Sequence, residues 1–271
     1  MSKIHGRVLI IAGSDSGGGA GIQADIKTVT ALGAYAMTAV TALTAQDTTG
    51  VYGIVAIEPA FIARQIELAL GDIGADCIKI GMLHDESVID AVADILERKG
   101  RGVPVVLDPV MVAKGGQALL EADAIATLKR RLLPLAMLVT PNLPEAERLS
   151  GRAITSRAEL IEAASGILTF GCAGVLLKGG HLAGDPILDV LATADHFELL
   201  ESQRIDTPHT HGTGCTLASA IATGIAQGFG PLPAVERARA YVQEAIRTAP
   251  GLGRGHGPLN HCHTVRPFPG G

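Results

Sequence analysis

Short apolar runs alternate with longer amphipathic stretches along most of the chain, and this alternation predicts strands and helices in turn. Val8–Ala12 is apolar throughout, the pattern of a strand buried on both faces of a sheet. It runs into the glycine-rich segment Gly13–Gly21, after which Ile22 to about Leu32 reads as a helix stopping at Gly33. Met37–Thr44 predicts a second strand, and Pro59 opens a helix to about Leu70. Cys77–Gly81 is a third strand, followed by a helix that Asp85 caps and that runs to about Arg98. Val103–Leu107 is a fourth, ending at Asp108-Pro109. A helix around Ala122–Leu132, a strand over Met137–Thr140, helices over Pro144–Leu149 and Arg157–Phe170, and a strand over Val175–Lys178 come next. Ile187–Ala192 and Phe197–Ile205 read as a hairpin. Helices at about Thr216–Gln227 and Leu232–Thr248 complete the pattern, and Gly251–Gly271, with Gly and Pro throughout, reads as a loop-like tail.

Strands alternating with helices imply an α/β fold with a mostly parallel sheet covered on both faces. No linker rich in Pro, Ser or charge interrupts the 271 residues, and no internal repeat appears. One domain spanning 1–271, with an ordered core over about 6–250, is therefore expected. Ligands of such sheets lie beyond the carboxyl ends of the strands. The chemically suggestive residues fall at those ends: Gly13–Gly21, Thr44-Ala45-Gln46, Gly81-Met82, Asp108-Pro109, Asn142, Lys178 and the turn 211–215.

Composition narrows the class. Hydrophobic residues make up 47 % and charged residues 18 %, enough for a sizeable core. Aromatics are only 3 % with no Trp, so that core must be built from Ala, Leu, Ile and Val. The net charge of −5, without a basic stripe, argues against nucleic-acid binding. Four widely spaced cysteines form no C-x-x-C pair, which fits a reducing cytoplasm better than a disulfide scaffold or zinc ribbon. Val8–Ala12 is too short for a signal-peptide core, and no long uninterrupted apolar stretch predicts a membrane span.

The densest chemistry lies in His209-Thr210-His211-Gly212-Thr213-Gly214-Cys215, which opens into a small-residue helix. Glycines let the backbone approach a ligand, and the unpaired first amides of a helix with its dipole make an anion site suited to phosphate. Cys215 at that start is expected to have a lowered pKa, fit for a base or nucleophile. The plainer reading is a glycine-capped helix with an inert cysteine. Lys178, ending an apolar strand before Gly179-Gly180, is placed to neutralise phosphate, or simply to snorkel. Asp108, Asn142 and Glu145 offer oxygen ligands to one cleft, suited to Mg²⁺; Asn142 and Glu145 equally suit ordinary helix caps. Asp25 is either a helix cap or dipole partner, or a hydrogen-bonding group for a polar ring. The loose G-x-G-x-x-A at Gly19–Ala24 starts too late after its strand for a dinucleotide fingerprint, and no P-loop signature occurs. His256, His261 and His263 match no closed metal site with Cys262.

Taken together, Gly13-Ser14-Asp15-Ser16, Gly21–Thr28, Lys79–Met82, Asp108–Met111, Thr140–Glu145, Leu177–His181 and His211–Cys215 resemble the hydroxymethylpyrimidine/phosphomethylpyrimidine kinases of thiamine biosynthesis, in order along nearly the whole chain. The resemblance implies a ribokinase-like three-layer α/β/α fold with a small β-hairpin, and two ATP-dependent phosphorylations of 4-amino-5-hydroxymethyl-2-methylpyrimidine. It implies that Cys215 is the base of the first step, that Gly212, Thr213 and Gly214 form the anion hole, and that Lys178, with Asn142 and Thr213, meets ATP. Asn142 and Glu145 would organise Mg²⁺ with Asp108 nearby. Gln46 would read the aminopyrimidine edge, helped by Asp25, Gly13 and Thr44, with Met82 and Val110 packed on the ring. A cytoplasmic homodimer is implied as well. Two positions depart from many relatives: Ser16-Gly17-Gly18 replaces a Pro-Ser pair, and Gln46 replaces the Glu of some. Pyridoxine/pyridoxal kinase, a non-catalytic pyrimidine-binding module and a nicotinamide oxidoreductase are the alternatives.

Overall fold

The computed structural model describes residues 4–112, 116–117, 119–121, 123–180 and 186–266. His181, which belongs to one of the motifs above, and Ala122 lie outside them. Among the described residues nine strands form one sheet: β1 Arg7–Asp15, β2 Tyr35–Gln46, β3 Val51–Ala56, β4 Cys77–Ile80, β5 Val105–Leu107, β6 Leu138–Val139, β7 Gly174–Leu177, β8 Ile187–Thr193 and β9 Phe197–Ser202. Their order is β3-β2-β1-β4-β5-β6-β7-β8-β9. The run from β2 to β7 is parallel, and antiparallel pairs finish both edges: β2 with β3, then β7 with β8 and β8 with β9.

The helices are α1 Gly21–Ala31, α2 Pro59–Asp72, α3 Glu86–Lys99, α4 Ala124–Thr127, α5 Leu143–Ser150, α6 Arg157–Leu168, α7 Thr213–Ala226 and α8 Pro231–Arg247. They cover both faces of the sheet, and β1 shows why its run had to be wholly apolar. Val8, Ile10 and Ala12 point into the core built with α1, α7 and α8, whereas Leu9 and Ile11 point into the core built with α2 to α6. Three layers result. Local signals set several boundaries: Asp85 accepts from the Val88 amide at the start of α3, and Ser156 does the same for Glu159 at the start of α6.

Some expectations change. Val51–Ala56, unassigned from its pattern, is an edge strand. The helix expected around 122–132 is a single α turn followed by a π turn over Leu128–Leu132 and a 3₁₀ turn over Leu133–Leu135. The tail is not loose as far as it is described: Leu259 and His261 are buried, and Tyr241 Oη donates to the His261 carbonyl at 2.7 Å. Residues 267–271 lie outside the described part. Among the described residues, no helix is long and apolar enough to cross a membrane.

Candidate active site

Parallel strands all end at the same edge of the sheet, and there they border a cleft of about 920 Å³. Gly13 comes from β1, Thr44 and Gln46 from β2, Met82 follows β4, Asp108 and Val110 follow β5, Asn142 and Glu145 follow β6, and Lys178 follows β7. The start of α7 closes the ring with Gly212, Thr213, Gly214 and Cys215.

At one end stands the turn into α7. Gly212 is its N-cap with φ 81°, a left-handed conformation that suits glycine. Its missing Cβ also matters, because a methyl group there would collide with the Gly19 carbonyl. Thr213 Oγ1 donates to the Thr210 carbonyl at 2.8 Å and steadies the turn. The first-turn amides carry the partial positive charge of the helix terminus, and that of Thr213 also donates to the Thr210 carbonyl at 3.4 Å. A Cβ at Gly214 would lie 3.4 Å from Lys178 Nζ and 3.4 Å from Asp108 Oδ2, so glycine keeps the space between the amides and the lysine open. Lys178 Nζ reaches Asp108 Oδ1 at 3.2 Å. Burial works against its charge, but Asp108 and Glu145 outweigh it and hold the ammonium above its ordinary pKa. Amides, one cation and open space between them are chemically suited to an anion such as phosphate.

The β6–α5 junction realises the capping reading. Asn142 Oδ1 accepts from the Glu145 amide at 3.0 Å, and Glu145 Oε2 accepts from the Asn142 amide at 2.8 Å. Burial pushes the Glu145 carboxyl up to about 7, against the pull of Lys178 and with a further push from Asp108. No cluster of three His, Cys, Asp or Glu able to hold a metal ion occurs among the described residues. Asp108, Glu145 and the Asn142 amide nevertheless border one space. That sparse oxygen set fits Mg²⁺, which binds through one or two carboxylates and completes its shell with water and phosphate oxygens.

Two expectations fail here. The Cys215 thiol does not follow the helix terminus: burial pushes it up to about 12, Lys79 opposes the rise, and Asp25 and Asp108 add to it. Asp25 does not line the cleft. It is wholly buried beneath, where Oδ2 accepts from Lys79 Nζ at 2.8 Å and Oδ1 accepts from Ser219 Oγ at 2.7 Å. It lies four residues past the N1 position of α1, too deep for a cap.

Toward the other end, Met82 and Val110 present apolar surface, and Gly13 lets Met82 approach; a Cβ at Gly13 would meet the Met82 sulfur at 3.0 Å. Ser16 Oγ donates to the Gln46 carbonyl at 2.9 Å and accepts from the Gln46 amide at 3.0 Å, which fixes the backbone while the side-chain amide borders the cleft. Thr44 Oγ1 donates to the Ser14 carbonyl at 2.8 Å. An amide that both donates and accepts, beside apolar walls, suits an aminopyrimidine.

Pattern reading passed over three groups. Lys79 sits inside an apolar strand and forms part of the cleft floor; a lysine in a buried strand was itself the signal, since such a charge must be paired. Asp15 and His211 tie the glycine-rich loop to the anion turn at 3.0 Å, and Asp15 also accepts from the Gly17, Gly19 and Ala20 amides at 2.7, 3.0 and 2.7 Å. Burial pushes Asp15 up, but these bonds prevail and hold it below the usual carboxylate range. A third set, Gln203–Thr207 with Val242 and Ile246, also lines the cleft and forms its trough at 203–207. Nothing in its sequence pattern marked it.

The sequence profile of the phosphomethylpyrimidine kinase family matches residues 15–260. A hydroxymethylpyrimidine/phosphomethylpyrimidine kinase of Rhizobium meliloti is 47 % identical over 258 residues, covering 94 % of this chain and 96 % of that protein. The thiamine biosynthesis bifunctional protein ThiED of Geobacter sulfurreducens is 53 % identical over 257 residues, covering 95 % of this chain; the chain spans about half, 52 %, of that longer protein. Among solved structures, an ADP complex of Bacillus subtilis pyridoxal kinase superimposes with a TM-score of 0.89 at 38 % identity, covering 95 % of this chain and 98 % of the other.

Proposed function

The chain belongs to the phosphomethylpyrimidine kinase family, with its ribokinase-like fold, and from that premise we propose how its residues carry out the two phosphorylations. It is an ATP-using kinase of thiamine biosynthesis that phosphorylates hydroxymethylpyrimidine and then the resulting monophosphate. One observation carries the site reading: the α7 amides, Lys178, Asp108 and Cys215 meet at one end of a cleft whose other end is apolar and amide-lined.

In this reading Met82, Val110 and Gln46 hold the pyrimidine with its hydroxymethyl group toward Cys215, helped by Gly13 and Thr44. Gly212, Thr213 and Gly214 bind the oxygens of the transferred phosphoryl group, and Lys178 neutralises charge that develops on them. The trough at 203–207 takes the nucleoside. Asp108, Asn142 and Glu145 would hold Mg²⁺, which would supply neutralisation of phosphate charge. Cys215 takes the hydroxyl proton in the first step. The second step attacks with a phosphate oxygen that is already ionised and needs little base. A single domain over 1–271, a homodimer and a cytoplasmic setting complete the proposal.

The test is a mass-spectrometric time course with Mg·ATP and hydroxymethylpyrimidine, with pyridoxal in parallel. Monophosphate followed by diphosphate from the pyrimidine is expected. Product from pyridoxal alone would move the function to the second reading, pyridoxal kinase, which the likeness of fold favours. No product from either would refute the site reading.

A further inference from the structure

Lys79 and Asp25 form an ion pair whose side chains are both 0 % exposed, directly under the anion turn. Burying two charges costs about as much desolvation as their attraction returns, so stability alone does not account for the pair. Its geometry points elsewhere. Asp25 Oδ2 holds Lys79 Nζ at 2.8 Å, and Asp25 Oδ1 accepts from Ser219 Oγ at 2.7 Å. Ser219 is one helical turn past Cys215 on α7 and so lies below it on the same face. Three elements, α1, β4 and α7, are thereby stitched together beneath the cysteine. Lys79, though buried, shares the cleft floor with Cys215. Gly81 makes room for the ammonium, since a Cβ there would sit 2.9 Å from Lys79 Nζ.

We propose that Lys79, held in place by Asp25, is the positioning residue whose ammonium favours the ionised sulfur of Cys215. The inference rests on reading Cys215 as the base of the first phosphorylation. In that step the sulfur takes the proton of the substrate hydroxyl while its oxygen bonds to the γ-phosphorus. The bond from that phosphorus to the bridging oxygen breaks, ADP leaves, and the thiol later returns the proton to solvent. Among the described residues, Lys79 from β4, Asp25 from α1, Asp108 after β5 and Lys178 after β7 act electrostatically on Cys215. Both carboxylates oppose ionisation, and each is bonded to one of the lysines. Of the two lysines, Lys79 acts more strongly on the sulfur, and the Gly21 amide at the start of α1 assists it. Asp25 anchors Lys79 in this arrangement, and its own charge is the counterweight.

The test is alkylation of Cys215 by iodoacetamide, followed over a range of pH by peptide-resolved mass spectrometry, so that Cys77, Cys172 and Cys262 do not confuse it. Lys79→Met is expected to slow alkylation at least about tenfold at fixed pH, one unit of thiol pKa. It should slow the first phosphorylation by about tenfold and leave the second within about threefold. Because Lys79→Met strands Asp25, the pair Lys79→Met/Asp25→Asn, which leaves no buried charge unmatched, is made alongside it. The double variant is expected to show a smaller slowing in the same direction, because it also removes the opposing Asp25 carboxylate. Unchanged alkylation in both variants overturns the inference, as does equal loss of both phosphorylations in a normally folded protein. If Cys215→Ala instead keeps the first phosphorylation at full rate, the base reading falls and the catalytic half of the inference with it. The alkylation rate alone then decides whether Lys79 acts on the thiol.

Discussion

Gly212→Ala should disable both phosphorylations together. The residue sits at φ 81°, where an alanine costs about 1–2 kcal/mol. Its methyl group would also collide with the Gly19 carbonyl and lie 2.8 Å from the Gly19 carbonyl carbon. The glycine-rich loop cannot readily retreat, because the Gly19 and Ala20 amides are bonded to Asp15 Oδ2 at 3.0 and 2.7 Å. The turn into α7 must therefore yield by roughly 1 Å, and a displacement of that size costs about a hundredfold in rate. Loss of one oxyanion-hole donor has a similar size, ~10²–10³ in kcat. We expect kcat to fall about a hundredfold or more with either the alcohol or the monophosphate as substrate. The strain should lower Tm by ~2–4 °C per kcal/mol in a chain of this size. ADP release measured with each substrate, together with a thermal melt, makes the check. Wild-type rates for both steps in the folded variant would refute the anion-hole reading. A loss confined to the first step would show that the two steps do not share it.

Cys215→Ala should lower kcat/KM of the first phosphorylation by ~10²–10⁴ and the second by less than about tenfold; equal loss in both would remove the base assignment. Because the thiol is pushed up to about 12, the first-step rate should keep rising with pH throughout the neutral and mildly alkaline range, and an early plateau in its pH profile would contradict this. Asp15→Asn places an amide against the Gly17, Gly19 and Ala20 amides and should destabilise the fold by about 2–3 kcal/mol, read from urea unfolding; an unchanged midpoint would show that the loop is held otherwise. His261, bonded to Thr216 Oγ1 at 3.0 Å, is pushed down to about 4, first by burial and then by Lys27 and His263. In the unfolded chain it titrates near 6.5, so the unfolded state takes up its proton first. Stability is complete above about pH 6.5 and is lost as pH falls toward 4, by up to roughly 3 kcal/mol for this group. His261→Gln should flatten that slope in urea midpoints measured across the window, and an unaltered slope would assign the acid sensitivity elsewhere.

Most strands and helices were legible because their causes are local. Val8–Ala12 had to be apolar because both faces of β1 are covered, and Asp85 and Ser156 mark helix starts by bonds spanning three residues. The edge strand β3 escaped because an edge has little to bury: Tyr52 and Val55 stay 71 % and 63 % exposed, and Gly53 interrupts the run. The π turn at 128–132 escaped because its side-chain pattern reads like that of an α-helix.

The site divides in the same way. Strand ends, the glycine turn before α7 and the lysine after β7 can be placed from sequence, since the parallel α/β topology sends every strand end to one edge. Charge states cannot. By itself the helix start at Cys215 favours a thiolate; burial and the carboxylates of Asp25 and Asp108, brought from distant parts of the chain, reverse that preference. Asp25 and Lys79 are separated by 54 residues, and Asp15 and His211 by 196. Sequence alone determined the alternating elements, the glycine turn before α7 and the family resemblance, because each rests on neighbours along the chain. Only the tertiary structure decided which side chains are buried together and which carboxylate meets which cation, because electrostatic energy depends on distance and burial in space.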